Sequence, residues 1–197
     1  MWETPVFAEE EQLISNSVEK RQREFRAGRH CAHLALEIAG CHNVPAIMAG
    51  SYRQPLWPIG FIGSISHCQD LCLAAVAVIG NGGIFSLGID VELANPIPIE
   101  IYNHVFVLNE LEALKKYPPL AETIIFSAKE SIYKCFFPLI EEFFDFSIVS
   151  IKLDFEQGSF YIFSTFPPIV KILEEKKFEG KFSQSDSHII TSAILIG

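Results

Sequence analysis

Residues 86–93 read SLGIDVEL, and the two acids in this apolar stretch decide how the rest of the chain is read. Side chains alternate across a strand, so Phe85, Leu87, Ile89, Val91 and Leu93 share one face, while Ser86, Gly88, Asp90 and Glu92 share the other. The acids therefore point the same way, with Cα atoms roughly 6 to 7 Å apart. Carboxylates at that separation repel one another unless water screens them or a cation lies between them.

Working outward, LCLAAVAVI at 71–79 is parted from IFSLGIDVEL by Gly80, Asn81, Gly82 and Gly83, which predicts a hairpin of two buried strands. Before it, FIGSISHC alternates like a strand and breaks at His67 to Asp70, after a loop marked by Pro45, Gly50, Pro55, Pro58 and Gly60. Ser15 to Ala39 is rich in helix formers and stops at Gly40, predicting one helix or two joined near Gly28. Downstream, ANPIPIE reads as a turn, and 100–117 as helix up to Pro118 and Pro119. AETIIFSAKESIYKCFFPLI reads as a second strong helix ended by Pro138. FSIVSIKLDF, SFYIFSTF and SHIITSAILI follow as three strands. Helix then strands, twice over, predicts an α+β fold of two related halves, 1–95 and 121–197, joined through 96–120. SISHCQDLCLAAVAV and SQSDSHIITSAIL both pass from a polar segment into a small-residue apolar one, a weak sign of internal duplication.

With 197 residues and 49% hydrophobic content, the chain has ample material for a core. A net charge of −9 argues against nonspecific nucleic-acid binding, which needs broad basic surface. No apolar run is long enough to span a bilayer, and the opening MWETPVFAEEEQ lacks a signal-peptide layout, so no membrane association and a cytoplasmic location are expected. The five cysteines are odd in number and hold no CxxC pair, which argues against a disulfide framework and against zinc; reduced core thiols are expected. Lys20, Arg21, Arg23, Arg26 and Arg29 gather a third of the 15 basic residues, as either a solvated helix face or one compact anion site. CFFPLIEEFFDF at 135–146 reads as core, with an apolar docking patch as the other reading.

In FSAKESIYK (126–134), Ser127 and Glu130 have the spacing of a capping box at a helix start, and Glu130 and Lys134 that of a helix-surface ion pair. Beside GIDVE the segment takes another meaning. A hard cation such as Mg²⁺ prefers oxygen ligands, and Asp90, Glu92 and Glu130 offer three carboxylates. GSISH at 63–67 reads as a small-residue turn at a strand end, where backbone N–H groups, Ser66 and His67 face an anion, and Arg53 in the Pro-rich loop beside Trp57 suits a phosphate. His30 and His33 stand at metal-clip spacing but lack an evident third ligand. GxSxG, P-loop and GxGxxG motifs are absent, so any nucleophile arrives with the substrate.

The series KRQREFRAGRHCAHLAL, YRQPLWPIGFIGSISHC, SLGIDVEL and FSAKESIYK, in this order, resembles the 4′-phosphopantetheinyl transferases of the enterobactin-synthetase type, over residues 9 to 136 most clearly. Members of that branch carry a further segment ahead of the equivalent of Ala8, and tend to have Arg where this chain has Lys181. The resemblance implies a pseudo-twofold α+β monomer with its active site in the cleft between the halves. It implies transfer of the phosphopantetheine arm of coenzyme A to a serine of an apo acyl or peptidyl carrier protein, releasing adenosine 3′,5′-bisphosphate, in siderophore, polyketide or fatty-acid synthesis. On that pattern Asp90, Glu92 and Glu130 hold Mg²⁺ or Mn²⁺, Glu130 is the general base, and Lys134 reaches the leaving phosphate. Arg26, Arg29, Arg53, Ser66, His67 and Lys129 bind coenzyme A. Two rival readings use the same residues: a Mg²⁺-dependent phosphodiesterase or nucleotide hydrolase, and a non-catalytic homologue that only binds coenzyme A.

Overall fold

In the computed structural model, which describes residues 3–5 and 7–197, the short helix α1 (Ala8–Gln12) leads into the long α2 (Glu19–Ile38). Strands β1 (Phe61–His67) and β2 (Cys72–Val78) pair antiparallel, and β3 (Ile84–Leu93) follows. Two short helices, α3 (Tyr102–Val105) and α4 (Leu108–Leu114), lead to the second long helix, α5 (Ala121–Ile140). Then come β4 (Val149–Asp154), β5 (Ser159–Ser164), helix α6 (Pro167–Glu175), β6 (Lys177–Gln184) and β7 (His188–Ile196). The larger sheet is antiparallel in the order β3-β7-β6-β5-β4.

Periodicity explains how the layers stack. On α5, Ala121, Ile124, Ile125, Ala128, Ile132, Cys135 and Phe136 recur at three- and four-residue spacing and are all buried. They lie against the alternating inward residues of the sheet, including Ile189, Ala193 and Leu195 of β7 and Val149, Ile151 and Leu153 of β4. A second, smaller core forms where Ala32, Leu36 and Ile47 meet Trp57, Ile65 and Val76, seating α2 on the β1–β2 hairpin. Lys129 joins the main core through its charge partner Glu110, whose other oxygen accepts from the Ile151 amide at 2.7 Å.

The hairpin expected across Gly80–Gly83 is not the one that forms. β2 pairs with β1 through the 68–71 turn, and β3 leaves to pair with β7, with Asp90 opposite Thr191 and Glu92 opposite Ile189. Gly80, Gly82 and Gly83 all take positive φ, and the tight turn they form closes on itself rather than setting β2 beside β3. Strand β3 thus ties the sequence preceding it to the C-terminal sheet. It is not zipped to β1 by backbone bonds. Instead the Ser64 and Ser66 hydroxyls accept from the amides of Ile89 and Val91 at 3.0 and 3.3 Å, satisfying a sheet edge with side chains.

Other expectations change as well. The helix over 100–117 breaks at Phe106–Val107, and Pro138 sits inside α5 rather than ending it. A proline in the last turn forgoes one bond, and the helix stops at Glu141, which takes the left-handed conformation at φ 54°. Helix α6 and strand β6 carry no clear local signal, because PPIVKILEE and KFEGKFSQ are short and mix charge with apolar residues. The Phe-rich stretch is mostly core, with Phe136, Phe137 and Phe144 buried and Phe143 exposed.

Gly88 is where β3 and α5 come closest. A Cβ there would lie 2.0 Å from the Ser131 carbonyl oxygen and 2.6 Å from the Cys135 amide nitrogen. Ser86, on the same face, donates to the Cys135 carbonyl at 2.6 Å. The small residues of this face therefore make room for a helix backbone, not for a bound ion. Gly88→Ala is expected to destabilise the protein by roughly 1 to 3 kcal/mol through overpacking, read as a lowered midpoint in thermal or urea unfolding.

Candidate active site

The face of β3 that carries Asp90 and Glu92 looks onto α5, and α5 answers with Ser127, Glu130 and Lys134, three and four residues apart on one side of the helix. Asp90 is buried, and its carboxylate is the junction of three elements. Oδ1 accepts from Lys134 Nζ at 2.7 Å and from Ser66 Oγ of β1 at 2.8 Å. Oδ2 accepts from Ser127 Oγ at 2.8 Å. Thr191 of β7 sits 3.0 Å from the Ser127 hydroxyl and donates to its carbonyl, holding that serine in place. Lys134 also donates to Ser66 Oγ and to the Ile89 carbonyl, each at 3.1 Å.

Two readings from spacing fall here. Ser127 lies six residues inside a helix that begins at Ala121, so Ser127 and Glu130 form no capping box. Lys134 pairs with Asp90 rather than with Glu130.

Glu92 and Glu130 are half-buried, and among the described residues neither has a hydrogen-bond or ion-pair partner. Burial, with the charges of Asp90 and Glu130 added, pushes the Glu92 carboxyl up to about 7. Burial is also the main force raising Glu130, opposed by Lys134 and reinforced by Asp90. Three carboxylates against one lysine leave the ionised site two charges short of neutral, with two unpaired oxygen-donor groups. A hard dication such as Mg²⁺ suits that set in both charge and ligand chemistry.

The remaining predicted residues divide. His67 lies on the site's flank, its Nε2 3.2 Å from Arg21 and 3.9 Å from Glu24, and burial lowers its pKa. Next to it, Lys20, Arg23, Glu24 and Asp70 line a cleft of about 490 Å³. Arg53, in the left-handed conformation at φ 65°, borders a second cleft of about 470 Å³ with Tyr52, Trp57, Tyr133, Lys134 and Phe137.

Arg26, Arg29 and Lys129 are not brought to the site, and Ser66 reaches it differently. Arg26 is spent in a two-pronged pair with Glu11 at 2.9 and 2.8 Å. Arg29 is buried over the Phe25 ring, 3.8 Å from Glu10, and desolvation draws its pKa down to about 10. Lys129 is enclosed by Glu110 and the Val105 and Phe146 carbonyls. Ser66 points at Asp90, so its hydroxyl positions that carboxylate rather than a phosphate, and GSISH belongs to β1, as the alternation of FIGSISHC predicts, with the turn coming only after His67. His30 and His33 bond to the Thr4 carbonyl and to Glu10 instead of clipping a metal, and Lys181 donates to the Gln157 carbonyl.

Helical spacing marks the division. Arg21, Glu24, Gly28 and Cys31 share the side of α2 facing the β1–β2 hairpin, where a Cβ on Gly28 would come within 3.0 Å of Ile65. Arg26, Arg29 and His33 share the side facing α1. Ser127 and Thr191, absent from the expected set, are found only once β7 is known to lie beside β3.

A raised carboxyl binds its proton more tightly in the folded than in the unfolded chain, so its contribution to stability is complete below the ordinary value near 4.5 and is lost as pH rises through about 7. In metal-free protein, Glu92→Gln is therefore expected to raise the melting temperature above neutral pH and to leave it nearly unchanged at acid pH. A difference that did not vary with pH would contradict this account.

Comparison with known proteins finds similarity over most of the chain. A family model described as the 4′-phosphopantetheinyl transferase N-terminal domain matches residues 9–77, and one described as the 4′-phosphopantetheinyl transferase superfamily matches residues 86–191. The 4′-phosphopantetheinyl transferase Npt of Nocardia iowensis is 39% identical over 152 residues, covering 76% of this chain and 67% of that one. The 4′-phosphopantetheinyl transferase Svp of Streptomyces mobaraensis is 32% identical over 193 residues, covering 95% and 77%. Enterobactin synthase component D of Salmonella typhi is 41% identical over 122 residues, covering 59% of this chain and 49% of that protein.

Proposed function

The chain belongs to the 4′-phosphopantetheinyl transferase superfamily, and we propose that it moves the 4′-phosphopantetheine arm of coenzyme A to the serine hydroxyl of an apo acyl or peptidyl carrier protein, releasing adenosine 3′,5′-bisphosphate. The observation that carries the reading is that Asp90, Glu92 and Glu130 lie within electrostatic reach of one another between β3 and α5, with Lys134 paired to Asp90. Mg²⁺, held by those three carboxylates, would neutralise the pyrophosphate of coenzyme A and the charge that develops there during transfer.

The chain's own residues do the rest. Glu130 accepts the proton of the carrier serine at a carboxylate oxygen as the serine Oγ–P bond forms and the pyrophosphate P–O bond breaks. Burial makes Glu130 a stronger base than an ordinary glutamate. Lys134, fixed by Asp90, Ser66 and the Ile89 carbonyl, presents a cation to the phosphoryl oxygens without having to be ordered first. The aromatic cleft bordered by Tyr52, Trp57, Tyr133 and Phe137 adjoins Lys134 and suits the uncharged pantetheine arm. Lys20, Arg21 and Arg23, beside His67, supply the basic groups for the 3′-phosphate end, in place of Arg26 and Arg29. We read the enzyme as a cytoplasmic monomer; among the described residues no helix is long and apolar enough to cross a membrane.

Incubation with coenzyme A, Mg²⁺ and an apo carrier protein tests this directly. The carrier is expected to gain the mass of phosphopantetheine with the wild-type protein, and at least 100-fold more slowly with Glu130→Gln. An unchanged carrier alongside hydrolysed coenzyme A would overturn the reading in favour of a phosphodiesterase. Arg21→Ala is expected to raise the apparent KM for coenzyme A more than for dephospho-coenzyme A, whereas Arg53→Ala, at the cleft given to the pantetheine arm, is expected to affect both alike; equal effects of Arg21→Ala would remove Arg21 from the 3′-phosphate end.

A further inference from the structure

The turn between β1 and β2 meets the start of β7 through three side chains that have no step in the transfer reaction, one of which, Asp70, also lines the cleft beside His67. Cys68 and Asp70 come from the turn, and His188 is the first residue of β7, 118 residues beyond Asp70. His188 Nε2 lies 2.9 Å from Asp70 Oδ1, Cys68 Sγ lies 3.8 Å from the same oxygen, and all three ligand atoms fall within 4.8 Å of one another. We propose that Cys68, Asp70 and His188 form a second metal site, for a borderline divalent transition metal of the zinc class, distinct from the carboxylate site on β3 and α5.

Donor chemistry, geometry and charge all favour this. A sulfur, an imidazole nitrogen and one carboxylate oxygen make a set that Mg²⁺ disfavours and Zn²⁺ or Co²⁺ prefers. With metal–ligand bonds of about 2.0 to 2.3 Å, tetrahedral ligands stand roughly 3.3 to 3.7 Å apart. The three atoms need to shift by no more than about an ångström, and two of the three belong to a short turn. A thiolate and a carboxylate together balance a dication. The imidazole is already oriented, because Ser187 Oγ lies 2.8 Å from His188 Nδ1. In the metal-free protein Nε2–H donates to Asp70 while the serine hydroxyl donates to Nδ1. On metal binding the ring proton moves to Nδ1, the hydroxyl turns to accept it, and Nε2 is freed as a ligand.

The Cys68 thiol, pushed up by burial, gives its proton to solvent in the same event. The side chains of Asp70 and His188 are 64% and 16% exposed, which leaves an entry path and a fourth position for water. Such a clip would fasten the turn immediately after Ser66 and His67 to β7, and so brace the N-terminal hairpin against the sheet that carries Asp90.

The inference does not rest on the proposed transfer reaction, and its test reads no activity. Protein stripped with a chelator is titrated with Co²⁺ in excess Mg²⁺, so that hard-oxygen sites are filled. One equivalent is expected to bring up a near-ultraviolet thiolate-to-cobalt absorption, which Zn²⁺ abolishes by displacement. Cys68→Ser should remove the band. Asp70→Asn and His188→Ala should weaken apparent Co²⁺ affinity at least tenfold, and Cys41→Ser and Glu130→Gln should leave it unchanged. The absence of a band in the wild-type protein would overturn the site, as would its survival in Cys68→Ser or its loss in Glu130→Gln. Should Cys68→Ser fail to fold, Asp70→Asn decides: the residue is largely exposed, and undiminished affinity in that variant overturns the proposal.

Discussion

Everything near the site depends on how one buried carboxylate is satisfied. Asp90 sits on a strand, is out of contact with water, and would be expensive to keep ionised without partners. It draws three donors from two neighbouring elements: Ser66 from β1, and Lys134 and Ser127 from α5, with Thr191 of β7 behind Ser127. Those bonds fix where α5 lies along β3 and hold the β1–β2 hairpin against a sheet to which it has no backbone ladder. Removing a single partner would leave a buried charge short of a donor, a far larger cost than the loss of an ordinary surface pair.

The same network explains an asymmetry among the three acids. Asp90 is satisfied by the fold itself, through Ser66, Ser127 and Lys134. Among the described residues Glu92 and Glu130 have no internal partner; Glu130 adds to the cost of ionising Glu92, and Asp90 adds to the cost for both. The fold therefore holds one carboxylate as structure and leaves two in a state that a cation would relieve. Lys134 keeps the total from being worse, since it neutralises Asp90 and sits within electrostatic reach of both glutamates. Its place in α5 is thus set by Asp90 on the facing strand, even though the i, i+4 spacing points to Glu130.

Much of this was legible in local pattern and some was not. Strict alternation in SLGIDVEL places Asp90 and Glu92 on one face without knowledge of any partner, and apolar periodicity places α5. What local pattern does not carry is pairing. The glycines at 80–83 read as a hairpin turn because hairpins are the commonest use of such a sequence, yet β7, about a hundred residues later, is the better partner for β3. Without that pairing nothing in the local pattern links Thr191 to Asp90 or His188 to Asp70. The arginines of α2 are a subtler case. Composition gathers them, but only the split of the helix into two stripes separates Arg21, beside His67, from Arg26 and Arg29, which hold α1.

Serine has a second role in this protein that bears on how such a site persists. Ser64 and Ser66 each stand in for a backbone carbonyl by accepting an amide of β3, and Ser66 then donates to Asp90. A backbone carbonyl could accept those amides, but it could not also donate to a carboxylate. Pairing β1 to β3 through hydroxyls rather than through a ladder therefore lets one strand edge close the sheet and position the acid. Alanine at position 66 would leave both the Val91 amide and an Asp90 oxygen short of a partner, so the alternation of serine with apolar residues in GSISH is required by the active strand it borders.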